Sequence, residues 1–366
     1  MPDDPGLPLR LLEGLAQHPA IAFHEDAVAA FITESLRSIG VSAETDAYGN
    51  IIARVPGTAR DVPPIAFVAN MDHPGFEAVE RDGDRLVARA LGGVPPSCFT
   101  QPVPVFVLAD GDRRIPGRLD GAVGPPEDRK VAVSVSQPDK ITLPAAVVFD
   151  LPDFSRDGDR LSLRAADDLA GCAAALSALH RLAADPAAGD VYGVFTRAEE
   201  VGLIGARLIA RERRIPLDCL VVSIESSREL PGAIAGEGPV IRVGDAMFTF
   251  SAEAEQVLHV ARMRLRDADP GFRAQRQLMS GGTCEASAFA ARGYAATGVA
   301  FPLGNYHNAT PDGGVDSEFI HADDFAMGAR LVLEAARSVA DRRGSPAWRR
   351  LLEETPAEEE RLRGQR

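Results

Sequence analysis

Three apolar runs, Ile65 to Ala69, Val191 to Phe195 and Cys219 to Ile224, each end at or within a few residues of an acid or an amide, with stretches of helical period among them. Runs of this length without strict alternation fit strands buried on both faces, the pattern of a sheet covered by helices. In such a sheet, ligand sites collect beyond the carboxyl ends of the strands. Here those ends carry Asn70-Met71-Asp72-His73, Glu199-Glu200 and Glu225.

The helical stretches support this reading. Residues 25–40 set Val28, Phe31, Ile32 and Leu36 on one face, with Gly40 placed to end the helix. A strand pair broken at Gly49-Asn50 follows. The small-residue segment CAAALSALHRLAA places Asp167 and Asp168 at a helix N-terminus, and the spacing of Val201, Ile204 and Leu208 starts a helix directly after Glu200. Further helices are predicted near residues 253–265 and 322–340, the last turning Phe325, Met327, Leu331, Leu333 and Ala336 to the sheet. Between residues 76 and 160 the helical period disappears. Short segments such as RLVARAL and PVPVFVLA, separated by Gly, Pro and Asp-Gly turns, predict a small barrel or sandwich. The expected architecture is an α/β domain of residues 1–75 and 161–345, with a mixed sheet flanked by helices. A β-barrel-like insert fills residues 76–160, and a charged tail, residues 346–366, is expected to fray.

Composition narrows the function. A net charge of −14 and a pI near 5.0 disfavour nucleic acid and anionic membranes as partners. The 45% hydrophobic and 25% charged content is that of a globular protein. The opening MPDDPGLPLRLLEGL carries acids where a secretory signal is basic, so a cytoplasmic protein is expected. Cys98, Cys172, Cys219 and Cys284 are scattered, with no CxxC pair, and are expected to be reduced. His18, His180, His259 and His321 are assigned packing or surface roles, and His24 a capping or solvated one.

Asp167, Glu199, Glu200, Glu225 and His307 each follow a predicted strand or lie in a loop beyond one, which gathers them along one edge. Carboxylates brought together raise one another's pKa, and one divalent cation, or two sharing a bridging carboxylate, relieves that repulsion. The predicted chemistry is metal-assisted hydrolysis.

The segments EDAVAAFITESLRSIGVSAETDAYGNIIARV, NMDHPGF, LGGVPPSCFTQPVPV, AADDLAGC, AEEVGLIGA, GEGPV, SGGTCEASA and NYHN occur in this order. In them the chain resembles the glutamyl/leucyl aminopeptidase family of dinuclear metallopeptidases, which includes the tetrahedral aminopeptidases. The resemblance implies that Asp167 bridges two metals, that Glu200 and His307 hold one of them, and that Glu199 is the general base. Glu199 would take a proton from the water and return it to the leaving amine. Asp168 would support the bridging acid, and Asp72 would orient a ligand. The resemblance also implies Zn, Co or Mn, one or two ions per chain, and a homo-oligomer packed through the insert.

Two positions depart from the family pattern at the second metal. Asn70 stands where the family has His, and Glu225 where it usually has Asp. An amide oxygen is a weak, hard ligand, so this ion would bind less tightly or be absent, unless His73 reaches it instead. In the turn Gly281-Gly282-Thr283-Cys284-Glu285, residues Gly282, Thr283, Cys284 and Glu285 are candidates for the substrate pocket. The leading expectation is an aminopeptidase acting on a peptide or small amide. A carboxypeptidase or N-acyl amino acid deacylase of the same clan is the alternative, and a non-catalytic binding or assembly subunit is the alternative from another class.

Overall fold

The computed structural model of the chain describes residues 4–109, 113–352 and 359–363. The chain opens with α1 (Leu7–Ala16), α2 (Asp26–Ser38), β1 (Ser42–Thr45), β2 (Ile51–Val55) and β3 (Ile65–Asn70). An all-β stretch follows: β4 (Gly75–Asp82), β5 (Arg85–Leu91), β6 (Val103–Ala109), β7 (Arg113–Val123), β8 (Lys130–Val135) and β9 (Ala145–Phe149). Next come β10 (Phe154–Asp157), β11 (Arg160–Leu163), α3 (Ala166–Ala184), β12 (Val191–Thr196), α4 (Ile204–Glu212), β13 (Leu220–Arg228) and β14 (Val240–Gly244). The chain continues through α5 (Ala252–Ala268), β15 (Gln275–Leu278), α6 (Glu285–Ala290), β16 (Ala295–Gly304), β17 (Glu318–His321) and α7 (Ala322–Ser338). Two short helices, α8 (Pro346–Leu352) and α9 (Glu359–Arg363), complete it.

The architecture is the expected mixed α/β fold. Among the described residues eleven strands form one sheet, in the order β1-β2-β12-β3-β13-β16-β17-β11-β10, with β14 attached to β16 and β15 to β14. The strands β12, β3, β13 and β16 run parallel to one another, while their outer neighbours pair antiparallel. Side chains alternate between two buried faces, as a covered sheet requires. Phe67, Ala69 and Val222 pack with α1, α2, α3, α5 and α7, whereas Ala66, Val68 and Val221 pack with α4 and α6. The small residues of α3 allow it to lie buried from Ala166 through Leu179, and it crosses close to β3 and β13.

β4 to β9 close into a six-stranded antiparallel barrel around Phe76, Leu86, Val105, Val107, Val133 and Phe149. Its strands run from Gly75 to Phe149; β10 and β11 already belong to the large sheet. The barrel leaves the sheet directly after β3 and returns before α3, so its loops hang over the carboxyl ends of the central strands.

Three local expectations are corrected. The helix after Glu200 begins only at Ile204, because residues 198–203 form a turn in which Ala198 and Leu203 have left-handed backbones. Glu225 lies inside β13, which stays paired with β16 through Arg228↔Leu303. Part of the tail is helical: Ser345 Oγ accepts the Trp348 N–H at the start of α8, as an N-terminal cap does. Tail residues 353–358 and 364–366, and the opening residues 1–3, lie outside the described residues.

Candidate active site

At the N-terminal end of α3 Asp167 leaves helical geometry, and its carboxylate turns towards the strand ends. Glu200 comes from the turn after β12, and His307 from the turn after β16. His307 Nε2 lies 3.4 Å from Glu200 Oε2 and 4.0 Å from Asp167 Oδ2. One ligand atom from each of the three lies within 4.8 Å of the others, a grouping that fits a cation.

The ring orientation of His307 is fixed from the barrel. Its Nδ1 is 3.1 Å from the carbonyl oxygen of Gly93, in the loop after β5, and donates its proton there. Nε2 therefore carries the lone pair and faces two acids. A neutral nitrogen and two carboxylates converging on one point repel each other unless a cation lies between them. Burial reinforces this by holding the imidazole pKa down, to about 3. Burial also lifts the Asp167 carboxyl to about 7 and the Glu200 carboxyl well above its usual range, with Asp167 and Asp72 adding to the latter.

Three buried acids hold the loops in place through backbone amides. Glu318 accepts the N–H of Asp167 at 2.9 Å and that of His307 at 2.7 Å. This clamps His307 in a left-handed conformation, φ 55°, which a non-glycine residue adopts only when its surroundings enforce it. Asp72 accepts the N–H groups of Glu199 and Glu200, at 2.9 and 3.1 Å. Glu25, fully buried, accepts the Ala198 N–H and pairs with Arg197 at 2.6 Å. The Glu199 carboxyl is raised well above its usual range, first by burial and then by Glu200, so it readily holds a proton.

The remaining predicted positions are placed as follows. Asn70 is buried, and its amide N–H donates to the Asp72 carbonyl at 3.1 Å. Both ring nitrogens of His73 face acceptors, Asp167 O at 2.9 Å and Asn308 Oδ1 at 2.8 Å, so neither is open to a metal. Burial holds its pKa down at about 4, so the neutral ring donates through only one of these two nitrogens. Asp72 orients neither residue through its carboxylate, which serves the glutamate pair instead. Asp168 Oδ1 accepts the Gly171 N–H inside the start of α3. Glu225 Oε1 accepts the Ser223 hydroxyl, and the Asp167, Glu200 and His307 group does not include it. Gly282 and Thr283 line the cleft. Cys284 and Glu285 lie buried behind it, with the Cys284 thiol pushed up to about 12 by burial. His24 is not the cap of α2; its partly exposed ring sets Nε2 3.0 Å from Glu77 Oε1 of the barrel.

A cleft of about 680 Å³ opens in front of Glu199, Glu200 and His307, walled by Leu203, Met247, Phe248 and Tyr306. Tyr306 stacks on the His307 ring at 3.7 Å, and the Arg228 guanidinium lies over the Tyr306 ring at 4.7 Å. Sequence reasoning missed Gly93, Glu318, Tyr306, Arg228 and Arg242. Tyr306 adjoins His307 within the quoted NYHN, and Arg242 lies just past GEGPV, so both were within reach. Glu318 acts through backbone amides and left no signal.

Known structures share the fold. An aminopeptidase from the archaeon Desulfurococcus kamchatkensis is 24% identical with a TM-score of 0.75, over 96% of this chain and 99% of that one. The TET1 peptidase of Pyrococcus horikoshii, described as assembling into a tetrahedron or a large octahedral shell, is 22% identical with a TM-score of 0.75, over 90% and 99%. A TET aminopeptidase from the marine sediment archaeon Thaumarchaeota archaeon SCGC AB-539-E09 is 19% identical with a TM-score of 0.76, over 92% and 98%. Residues 140–331, which include Asp167, Glu199, Glu200, Glu225 and His307, match the family described as M42 glutamyl aminopeptidase. The chain belongs to that family and is a metal-dependent aminopeptidase.

Proposed function

We propose that the protein removes N-terminal residues from peptides with a divalent ion held by Asp167, Glu200 and His307, and with Glu199 as general base. The observation that carries this reading is the convergence of His307 Nε2 and two carboxylates at the wall of the cleft, with Nδ1 already committed to Gly93. An ion bound there would polarise the scissile carbonyl and make water acidic enough to attack near neutral pH. Glu199 is adjacent to a ligand yet outside the ligand group, so it can take a proton from the attacking water and pass it to the departing amine. Tyr306 fixes one face of His307, while Gly282, Thr283, Met247 and Phe248 bound the space for the substrate side chain.

Two carboxylates and one imidazole suit Zn, Co or Mn. The TET assemblies described for similar structures support a homo-oligomer here as well, with the inserted barrel of β4 to β9 at the contacts. Among the described residues no helix is long and apolar enough to cross a membrane, and the four cysteines are free and buried. Free thiols fit a reducing cytoplasm.

The test is a substrate panel of amino-acid anilides, dipeptides and N-acyl amino acids, assayed with Zn, Co and Mn. Anilide and dipeptide cleavage that stops on chelation supports the reading. Release of the acyl group with intact anilides would transfer the site to deacylase chemistry.

A further inference from the structure

Arg242 lies on β14 with its side chain 3% exposed, and its Nε and Nη1 have no hydrogen-bond partner among the described residues. Its nearest acid is Glu225, whose Oε2 is 3.9 Å from Nη1. The side chain is accommodated by Gly298 on the neighbouring strand: a Cβ there would stand 3.2 Å from Arg242 Cδ. The guanidinium lines a small cavity of about 50 Å³ together with Asp167, Glu199, Glu200, Glu225 and His307. A buried, unpaired guanidinium is costly unless nearby charge or a ligand compensates it.

The groups that the family resemblance assigns to a second ion include a neutral amide, and an oxygen of each of its two carboxylates already faces a protein donor. Asn70 is uncharged and donates to the Asp72 carbonyl. Asp167 Oδ1 faces the Ser226 N–H at 3.4 Å, and Glu225 Oε1 accepts the Ser223 hydroxyl at 3.0 Å. That hydroxyl also contacts Glu285 Oε2 at 3.1 Å, which links Glu225 to a second, fully buried acid.

We propose that Arg242 is a built-in second cation: the site takes one divalent ion, and the guanidinium occupies the electrostatic role of the other. It balances Glu225 and Asp167, and its unpaired N–H groups are donors for an oxygen of water or substrate entering the cavity. A planar, permanently charged donor suits this task better than an ammonium, whose charge is lost more easily on burial. The inference rests on the reading of Asp167, Glu200 and His307 as ligands.

The full-length chain, saturated with Co(II), freed of loosely held ion and measured by elemental mass spectrometry, tests it. The wild type and the variants Asn70→His and Arg242→Lys should each retain about one ion per chain, and Asn70→His combined with Arg242→Met about two. Two ions in the wild type or in Asn70→His alone would overturn the proposal and leave the ligand assignment standing. One ion in the folded double variant would overturn it too, since the guanidinium would not be what excludes the second ion. No ion in the wild type would remove the ligand assignment and this inference with it. Circular dichroism confirms folding, and if the double variant fails to fold, the counts for the wild type and Asn70→His decide.

Discussion

His307 turns the lone pair of Nε2 towards Oε2 of Glu200, 3.4 Å away, because the barrel loop takes up the opposite nitrogen. The catalytic domain therefore does not complete its own site: a carbonyl from the inserted barrel selects the tautomer. Gly93 is also tight against the ring, and a Cβ there would be 2.6 Å from Nδ1. Gly93→Ala should weaken metal binding about 10- to 100-fold while shifting the melting temperature little, as titration calorimetry and thermal melts can check.

Glu199 is assigned proton transfer and Glu200 ligation. Glu199→Gln should lower kcat by about 100- to 10,000-fold with metal content unchanged, whereas Glu200→Gln should lose metal as well. Steady-state kinetics paired with elemental analysis separates the two. A Glu199→Gln enzyme that loses its ion would place both residues on the metal.

Metal removal should make stability depend on pH. Burial raises the carboxyls of Asp72 and Asp167 to about 7 from an unfolded value of 3.8. A raised acid contributes stability that is fully present below the unfolded pKa and is lost as pH climbs through the folded one. The chelated protein should therefore weaken between about pH 4 and pH 7, while a bound cation, by favouring ionised Asp167, offsets part of that loss. The melting-temperature gap between loaded and chelated protein should widen by about 5 °C from pH 5 to pH 8. A constant gap would contradict this.

Arg197 has a purely supporting part. It neutralises fully buried Glu25, which in turn holds the Ala198 amide at the start of the glutamate turn. Arg197→Ala leaves that acid uncompensated and should cost about 3 kcal/mol in denaturant unfolding, with partial loss of activity from the loosened turn.

The sheet and its helices were legible because Ile65 to Ala69 and Cys219 to Ile224 are apolar on both faces, a demand that only a covered sheet meets. The polar residues after those runs pointed to the edge where Asp167, Glu200 and His307 meet. Backbone handovers were less legible. Glu225 was read as a strand end, yet pairing with β16 continues through Arg228, which no apolar pattern announces. The turn at 198–203 depends on Glu25 and Asp72, acids more than 120 residues away in sequence. His73 looked like a ligand by its motif, but Asn308 and the Asp167 carbonyl, both remote in sequence, claim its nitrogens. Arg242 stood within reach, two residues past GEGPV, but its importance lies in what fails to pair with it, which only the fold reveals.

The central claim is that a divalent ion sits among Asp167, Glu200 and His307. Anomalous diffraction at the zinc edge from a crystal of the zinc-loaded protein tests it most directly. The account predicts a peak within bonding distance, about 2.0–2.2 Å, of Asp167 Oδ2, Glu200 Oε2 and His307 Nε2. A map with no peak there, or with its peak between Asn70 and Glu225, would contradict it.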